Sequence, residues 1–179
     1  ERTAHDRHVA AEVGWVRLDS VPLVRQREAW DCGLAALTMV LRYWSIPPDA
    51  ASFEALTRAA VLEGRSIRAG ELRALARAHG AQAFLFHATL QDLEAELGRG
   101  RPVLVGEQKA TLGGAVPHYA VVIGVHPASQ RVLLLDPALG LRENSYVHFE
   151  EEWAPTGRLA LLVVRAAPVE AAAGGAGAN

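Results

Sequence analysis

Hydrophobic and polar positions in the first half of the chain follow helical spacing. Between residues 32 and 44 almost every position is apolar, which is typical of a helix buried on most sides. Asp31 stands at its predicted N-cap, and Pro47-Pro48 ends the segment. Similar spacing predicts helices at 52–62 and 69–79, and a short helix in TLQDLEAELGRG, which opens with a capping box.

The pattern changes in the second half of the chain. Short runs rich in β-branched residues, separated by turn residues, predict strands: AQAFLFH, RPVLVGE, HYAVVIGVH, RVLLLD, SYVHF and RLALLVVR. Helices come first and most strands follow, an order that predicts an α+β fold with an antiparallel sheet packed on the buried helix. Residues 13–167 contain no linker-like segment and are therefore predicted to form one domain. A polar arm at 1–12 precedes this domain, and a small-residue tail at 168–179 follows it.

Composition narrows the classes of partner. The chain has 179 residues, a net charge of −2 and 50% hydrophobic residues, so it can bury a sizeable core but offers no basic surface for nucleic acid. It contains no run of about 18 apolar residues, so we expect no membrane-spanning segment. Because the chain begins at Glu1 and not at Met, we expect an exported protein, periplasmic or anchored through a removed segment.

The single cysteine, Cys32, lies where a polar stretch meets the apolar helix. A thiol attacks only as a thiolate, which the first turn of a helix favours through its unpaired amides and dipole. Gly33 leaves space beside it, and Gln26, six residues earlier, could deliver an amide donor to an oxyanion. The alternatives are that Cys32 packs as a small hydrophobe and that Gln26 is an exposed loop residue.

Two residues in the strand region could complete a nucleophilic site. His118 follows GGAVP and starts an apolar strand, where it could serve as a general base. Asp136 ends RVLLLD, and a carboxylate after three leucines must be exposed, capped or paired. The alternatives are a half-exposed histidine at a strand end and an aspartate that starts an Asp-Pro turn.

The strand register tests whether this His and Asp can meet. If Val125 pairs with Arg131, Ala120 lies opposite Asp136, and His118 becomes its diagonal neighbour on the same face. A regular hairpin with a four-residue loop would instead place His118 and Asp136 on opposite faces. The pairing therefore predicts an odd-length loop or a β-bulge in this hairpin.

The segment VPLVRQREAWDCGLAALTMVLRYW, with PHYAVVIGV and LLLDP further along, resembles the bacteriocin-processing, or double-glycine-leader, peptidases. These are cysteine proteases of the papain-like superfamily, and the resemblance covers residues 21–164. It implies a papain-like fold in which Cys32 is the nucleophile, His118 the base, Asp136 the residue that orients it and Gln26 the oxyanion donor.

The resemblance implies a cysteine peptidase that cleaves a peptide or protein substrate through a thioester, after small residues such as a double glycine. This chemistry requires no metal or organic cofactor. Two alternatives remain at this point: a papain-like acyltransferase or transpeptidase that passes the acyl group to another acceptor, and a peptide-binding domain whose catalytic machinery is idle. Rapid alkylation of the thiol near pH 6 would favour the enzyme hypotheses.

Overall fold

The computed structural model describes residues 13–166, so the predicted arm at 1–12 and the tail at 168–179 lie outside the described residues. The helices within this range are α1 (Cys32–Tyr43), α2 (Ala50–Leu62), α3 (Ala69–Ala78), α4 (Leu90–Gly98) and α5 (Tyr146–Trp153). The strands are β1 (Val16–Arg17), β2 (Ala81–His87), β3 (Val103–Thr111), β4 (Gly114–His126), β5 (Arg131–Asp136), β6 (Gly140–Ser145) and β7 (Leu159–Arg165).

All seven strands form one antiparallel sheet in the order β2-β7-β3-β4-β5-β6, with β1 paired to the end of β4. Tyr119, Val121 and Ile123 of β4 pack into an apolar cluster with α1, α2 and α3. The alternate residues Ala120 and Val122 pack into a second cluster with α4 and α5. The α+β class and the sheet packed on N-terminal helices are confirmed, and a second helical layer covers the other face.

Helix α1 is the buried central helix that the sequence predicts. Its ten residues from Cys32 to Leu41 are all buried, which explains why the segment has almost no polar face. The Trp44 indole, just after the helix, donates a hydrogen bond to the Val163 carbonyl of β7 at 2.8 Å. Among the described residues, no helix is long and apolar enough to cross a membrane.

The sequence interpretation is wrong for one segment near the C-terminus. SYVHF was predicted to be a strand but opens helix α5, because Ser145 accepts a hydrogen bond from the His148 amide and thereby caps the helix. Phe149 and Trp153, four residues apart on one face, are both fully buried against the sheet. The true strand here is β6, whose polar sequence GLRENS gives no alternating signal.

The hairpin between β4 and β5 contains the predicted bulge but not the predicted pair. His126 pairs with Arg131 and Val125 with Val132 across the loop 127–130, so the proposed pairing of Val125 with Arg131 is wrong. The register then shifts between Val122 and Gly124, and the ladder ends at Val121 opposite Leu135. The bulge therefore restores the register that a four-residue loop would have lost.

Burial of α1 predicts an asymmetric effect of two leucine substitutions. Leu37→Ala, at a fully buried position of α1, is expected to lower the free energy of unfolding by about 2–5 kcal/mol because it leaves a cavity. Leu62→Ala, at a position that is 81% exposed, should change it by less than about 0.5 kcal/mol. Urea titrations followed by circular dichroism measure both, and equal effects would contradict the described packing.

Candidate active site

Cys32 is the first residue of α1 and is only 3% exposed. The Ala35 amide donates to the Asp31 carbonyl at 2.9 Å, which closes the first turn and leaves the amides before it at the positive end of the helix. Asp31 stands at the N-cap as predicted, but its side chain makes no capping hydrogen bond. A negative sulfur at this position is therefore favoured by backbone amides.

Glycine at position 33 allows α1 to lie directly on the sheet. A Cβ at this position would come within 3.1 Å of both the Leu72 side chain and the Tyr119 ring. Tyr119 is held from its other end, where its hydroxyl donates to the Ile67 carbonyl at 3.2 Å. The close approach of α1 to β4 brings the helix start, and with it Cys32, to the strand that carries His118.

The structure brings Cys32, His118 and Asp136 together. His118 Nε2 lies 2.9 Å from Asp136 Oδ1, and Cys32 lies near enough to the same imidazole to raise its pKa. Since Nε2 faces the carboxylate, Nδ1 is the ring nitrogen left for the sulfur. His118 lies three residues beyond the end of the β4–β5 ladder, where the imidazole can reach both partners.

Asp136 is fully buried and is both a turn residue and a partner of His118. Its Oδ1 also accepts the amides of Ala138 at 2.8 Å and Leu139 at 3.2 Å, and its Oδ2 accepts Arg142 Nη1 at 2.9 Å. Burial alone would raise the pKa of Asp136, but the hydrogen bond and charge of His118, with the two amides, hold it below its usual range. The side chain is therefore a carboxylate at neutral pH.

His118 is basic for a buried histidine. Burial by itself would lower its pKa, but the hydrogen bonds to Asp136 and Cys32 and the negative charge of both partners raise the pKa of His118 to about 9. At neutral pH the imidazole is therefore charged. His118 therefore already carries the proton that a general base would have to accept.

A buried ionic cluster behind this site was missed by the sequence interpretation. Arg142 of β6 bridges Asp136, Glu107 at 3.4 Å and Glu152 at 2.9 Å. Lys109 of β3 pairs with Glu107 at 2.9 Å and also with Glu152. Glu107 ends the apolar run RPVLVGE, as Asp136 ends RVLLLD, so the same signal of a carboxylate after buried apolar residues was available for it.

Donor atoms of Glu107, His118 and Asp136 lie within 4.8 Å of one another, a spacing that would suit a metal ion. These groups already have protein partners, however: Asp136 Oδ1 accepts from His118 and two amides, and Glu107 Oε2 pairs with Lys109. The cations Lys109 and Arg142 also lie where they would repel a metal ion. We therefore interpret the group as an ion-pair network and assign no metal to it.

Gln26 lies on the loop before α1, half-buried, and its backbone is tied to the Asp136 turn. The Gln26 amide donates to the Pro137 carbonyl at 3.0 Å, and Arg25 Nη1 donates to Ala138 O at 2.6 Å. The Gln26 side-chain nitrogen donates to Glu28 O at 3.1 Å, which uses one of its two hydrogens. The loop is thereby attached to the turn that carries the carboxylate.

The fold is that of a papain-like cysteine peptidase domain. Residues 20–167 match the model of the Peptidase C39 family, and the chain belongs to this family of cysteine peptidases. The comparison with curated proteins gave no match.

Several solved structures share the fold. The peptidase domain of Streptococcus ComA, a bifunctional ABC transporter of a quorum-sensing pathway, is 22% identical, covers 82% of this chain and 99% of its own, and superposes with a TM-score of 0.65. A C39-like peptidase from Bacillus anthracis is 20% identical over 86% and 98% of the two chains, with a TM-score of 0.65. A double-glycine-motif protease from an AMS/PCAT transporter, solved with its leader peptide, is 21% identical over 82% and 93%, with a TM-score of 0.61.

The raised pKa of His118 predicts a pH-dependent stability. Because its pKa is about 9 when folded and roughly 6.5 when unfolded, the contribution is fully present below about pH 6.5 and is lost as pH rises towards 9. It amounts to at most roughly 3 kcal/mol. Urea titrations between pH 6 and 9.5 should show this decline in the unmodified protein and a smaller one in His118→Gln. Parallel curves would contradict the pairing.

Proposed function

We propose that this protein hydrolyses peptide bonds with Cys32 as the nucleophile. The observation that supports the proposal most directly is one imidazole that is hydrogen-bonded to a buried carboxylate and lies near the thiol. Contacts of this kind activate a sulfur nucleophile and then return a proton to the leaving group. Asp136 acts by holding His118 in one orientation and by favouring its charged form.

The reaction begins from the pair in which His118 Nδ1 already carries the proton of the Cys32 sulfur. The thiolate attacks the carbonyl carbon of the substrate and forms a carbon–sulfur bond while the carbonyl oxygen becomes an oxyanion. His118 then gives its proton to the leaving amine as the carbon–nitrogen bond breaks. Water, deprotonated by His118, finally releases the acyl group from sulfur.

The Cys32 amide at the start of α1 and the side-chain amide of Gln26 stabilise the oxyanion. The helix start directs the first amide outwards, and the second hydrogen of the Gln26 side-chain nitrogen remains after the bond to Glu28. Fixed donors of this kind are most effective where burial lowers the local dielectric constant. The hydrogen bond from the Gln26 backbone amide to the Pro137 carbonyl fixes the position of this loop relative to the Asp136 turn.

For the substrate we propose a peptide segment ending in small residues such as a double glycine. A related structure is a double-glycine-motif protease with its leader peptide, and this chain shares its fold. A groove of about 760 Å³ lies between the loop of Gln26, α1 and α2, lined in part by Val24, Leu34 and Phe53. This groove could take the residues that precede the scissile bond.

Replacement of the thiol tests the proposal directly. Cys32→Ser and Cys32→Ala should lower kcat for a peptide containing a Gly-Gly bond by at least ~10³-fold, since no other group supplies the nucleophile. Mass spectrometry of the products should show one added water per bond cleaved. The chain has only one cysteine, so no other thiol can substitute.

Unchanged circular dichroism and a melting temperature within a few degrees of the unmodified protein would show that the Cys32 variants fold. Turnover retained in a folded Cys32→Ala variant would refute the mechanism.

The role of Gln26 predicts a separate kinetic effect. Gln26→Ala should lower kcat by about 10²–10³-fold, with a smaller change in KM, because the donor acts mainly on the oxyanion. Gln82→Ala, at an exposed position of β2, is the matched control and should leave both constants unchanged. Equal kinetics for the two variants would remove Gln26 from the mechanism.

A further inference from the structure

Glu107 is a fully buried carboxylate for which the proposed reaction has no use. Its side chain is 0% exposed, and it sits in the middle of the sheet on β3. Oε2 is paired with Lys109 and Arg142, whereas the buried Oε1 accepts no hydrogen bond from any described residue. Burial of a charge is costly unless it is compensated, so its position invites a functional explanation.

The register of the sheet directs Glu107 towards the site. Glu107 is the partner of His118 in the β3–β4 ladder, and directly paired residues of antiparallel strands lie on the same face with their Cβ atoms in proximity. Donor atoms of Glu107, His118 and Asp136 lie within 4.8 Å of one another. The imidazole thus has a carboxylate from each of two strands near it.

The charges around His118 leave an excess of negative charge. Six ionisable side chains lie near the His118 imidazole or pair with its neighbours: Cys32 on α1, Glu107 and Lys109 on β3, Asp136 on β5, Arg142 on β6 and Glu152 on α5. The three carboxylates outnumber the two permanent cations by one unit of charge. A positive His118 balances this excess.

We propose that Glu107 is a positioning residue which, together with Asp136, holds His118 as the imidazolium beside Cys32. The inference rests on the proposed roles of Cys32 and His118. Asp136 orients the ring through Nε2, and Glu107 adds negative potential from the opposite strand. The ionic cluster is then part of the machinery that activates the sulfur.

The test is the pH at which the His118 imidazole loses its proton, followed by NMR of its ring resonances and assigned with the His118→Gln variant, which requires no substrate. In Glu107→Gln the midpoint of this titration should fall by about one unit, because the substitution removes a negative charge that favours the imidazolium. Glu152→Gln, which removes the same charge from the same two cations farther from His118, is the matched control and should shift the midpoint by less than half as much.

A second variant acts in the opposite direction and remains informative if Glu107→Gln does not fold. Lys109→Gln removes the cation paired with Glu107, so the negative potential at His118 increases and the midpoint of the His118 titration should rise by about half a unit. Loss of packing alone does not predict opposite shifts from these two substitutions.

The outcomes separate this inference from the proposed function. A raised His118 midpoint in the unmodified protein that does not move in Glu107→Gln or Lys109→Gln would overturn the inference and leave the peptidase proposal intact. A midpoint of roughly 6.5 in the unmodified protein, as for an ordinary histidine, would overturn both. Opposite shifts of the two variants would support the role of Glu107.

Discussion

The buried carboxylate of Asp136 is the constraint on which much of the structure depends. A charge in the interior of a protein must be matched by donors, and here they come from His118, two backbone amides and Arg142. The imidazole comes from β4, the two amides come from the turn after β5, and the guanidinium comes from β6. The need to satisfy one side chain therefore brings these segments to a common point.

Two local features of the sheet make this convergence geometrically accessible. The bulge between Val122 and Gly124 puts His118 on the same face as Asp136 despite the four-residue loop at 127–130. Glycine at position 33 lets α1 approach Tyr119 closely, which places the start of the helix beside β4. Both features cost regularity in the sheet or side-chain contacts in the core, and both serve the position of the site.

The ionic cluster contributes more to electrostatics than to stability. Replacing a buried ion pair by well-packed apolar residues is often neutral or stabilising, so Glu107, Arg142 and Lys109 are poorly explained as stabilising contacts. In our proposal Glu107 instead adds to the negative potential at His118, whose pKa Asp136 and Cys32 raise although burial opposes this. The apolar stabilisation comes from the two clusters on either face of the sheet, which hold the charged groups in place.

The sequence by itself determined the features that depend on local hydrophobic spacing. These are the buried helix α1, the strand limits at 81–87 and 131–136, and the α+β order of elements. The residue types of Cys32, His118, Asp136 and Gln26 could also be selected as candidates, because each stands at the edge of an apolar segment. Local pattern failed where tertiary contacts decide. SYVHF has strand propensity but forms α5, since Phe149 and Trp153 pack only as a helix against the sheet.

Only the tertiary structure decided how the candidates meet. The position of the bulge, the strand β6 and the partners of Asp136 depend on pairing between distant segments, which hydrophobic spacing does not encode. Glu107 and Arg142 lie 35 positions apart in the chain, and their ion pair exists because β3 and β6 flank β4 and β5 in one sheet. Local spacing reports which face of an element is buried, whereas the electrostatics of a site depend on what the rest of the chain places opposite that face.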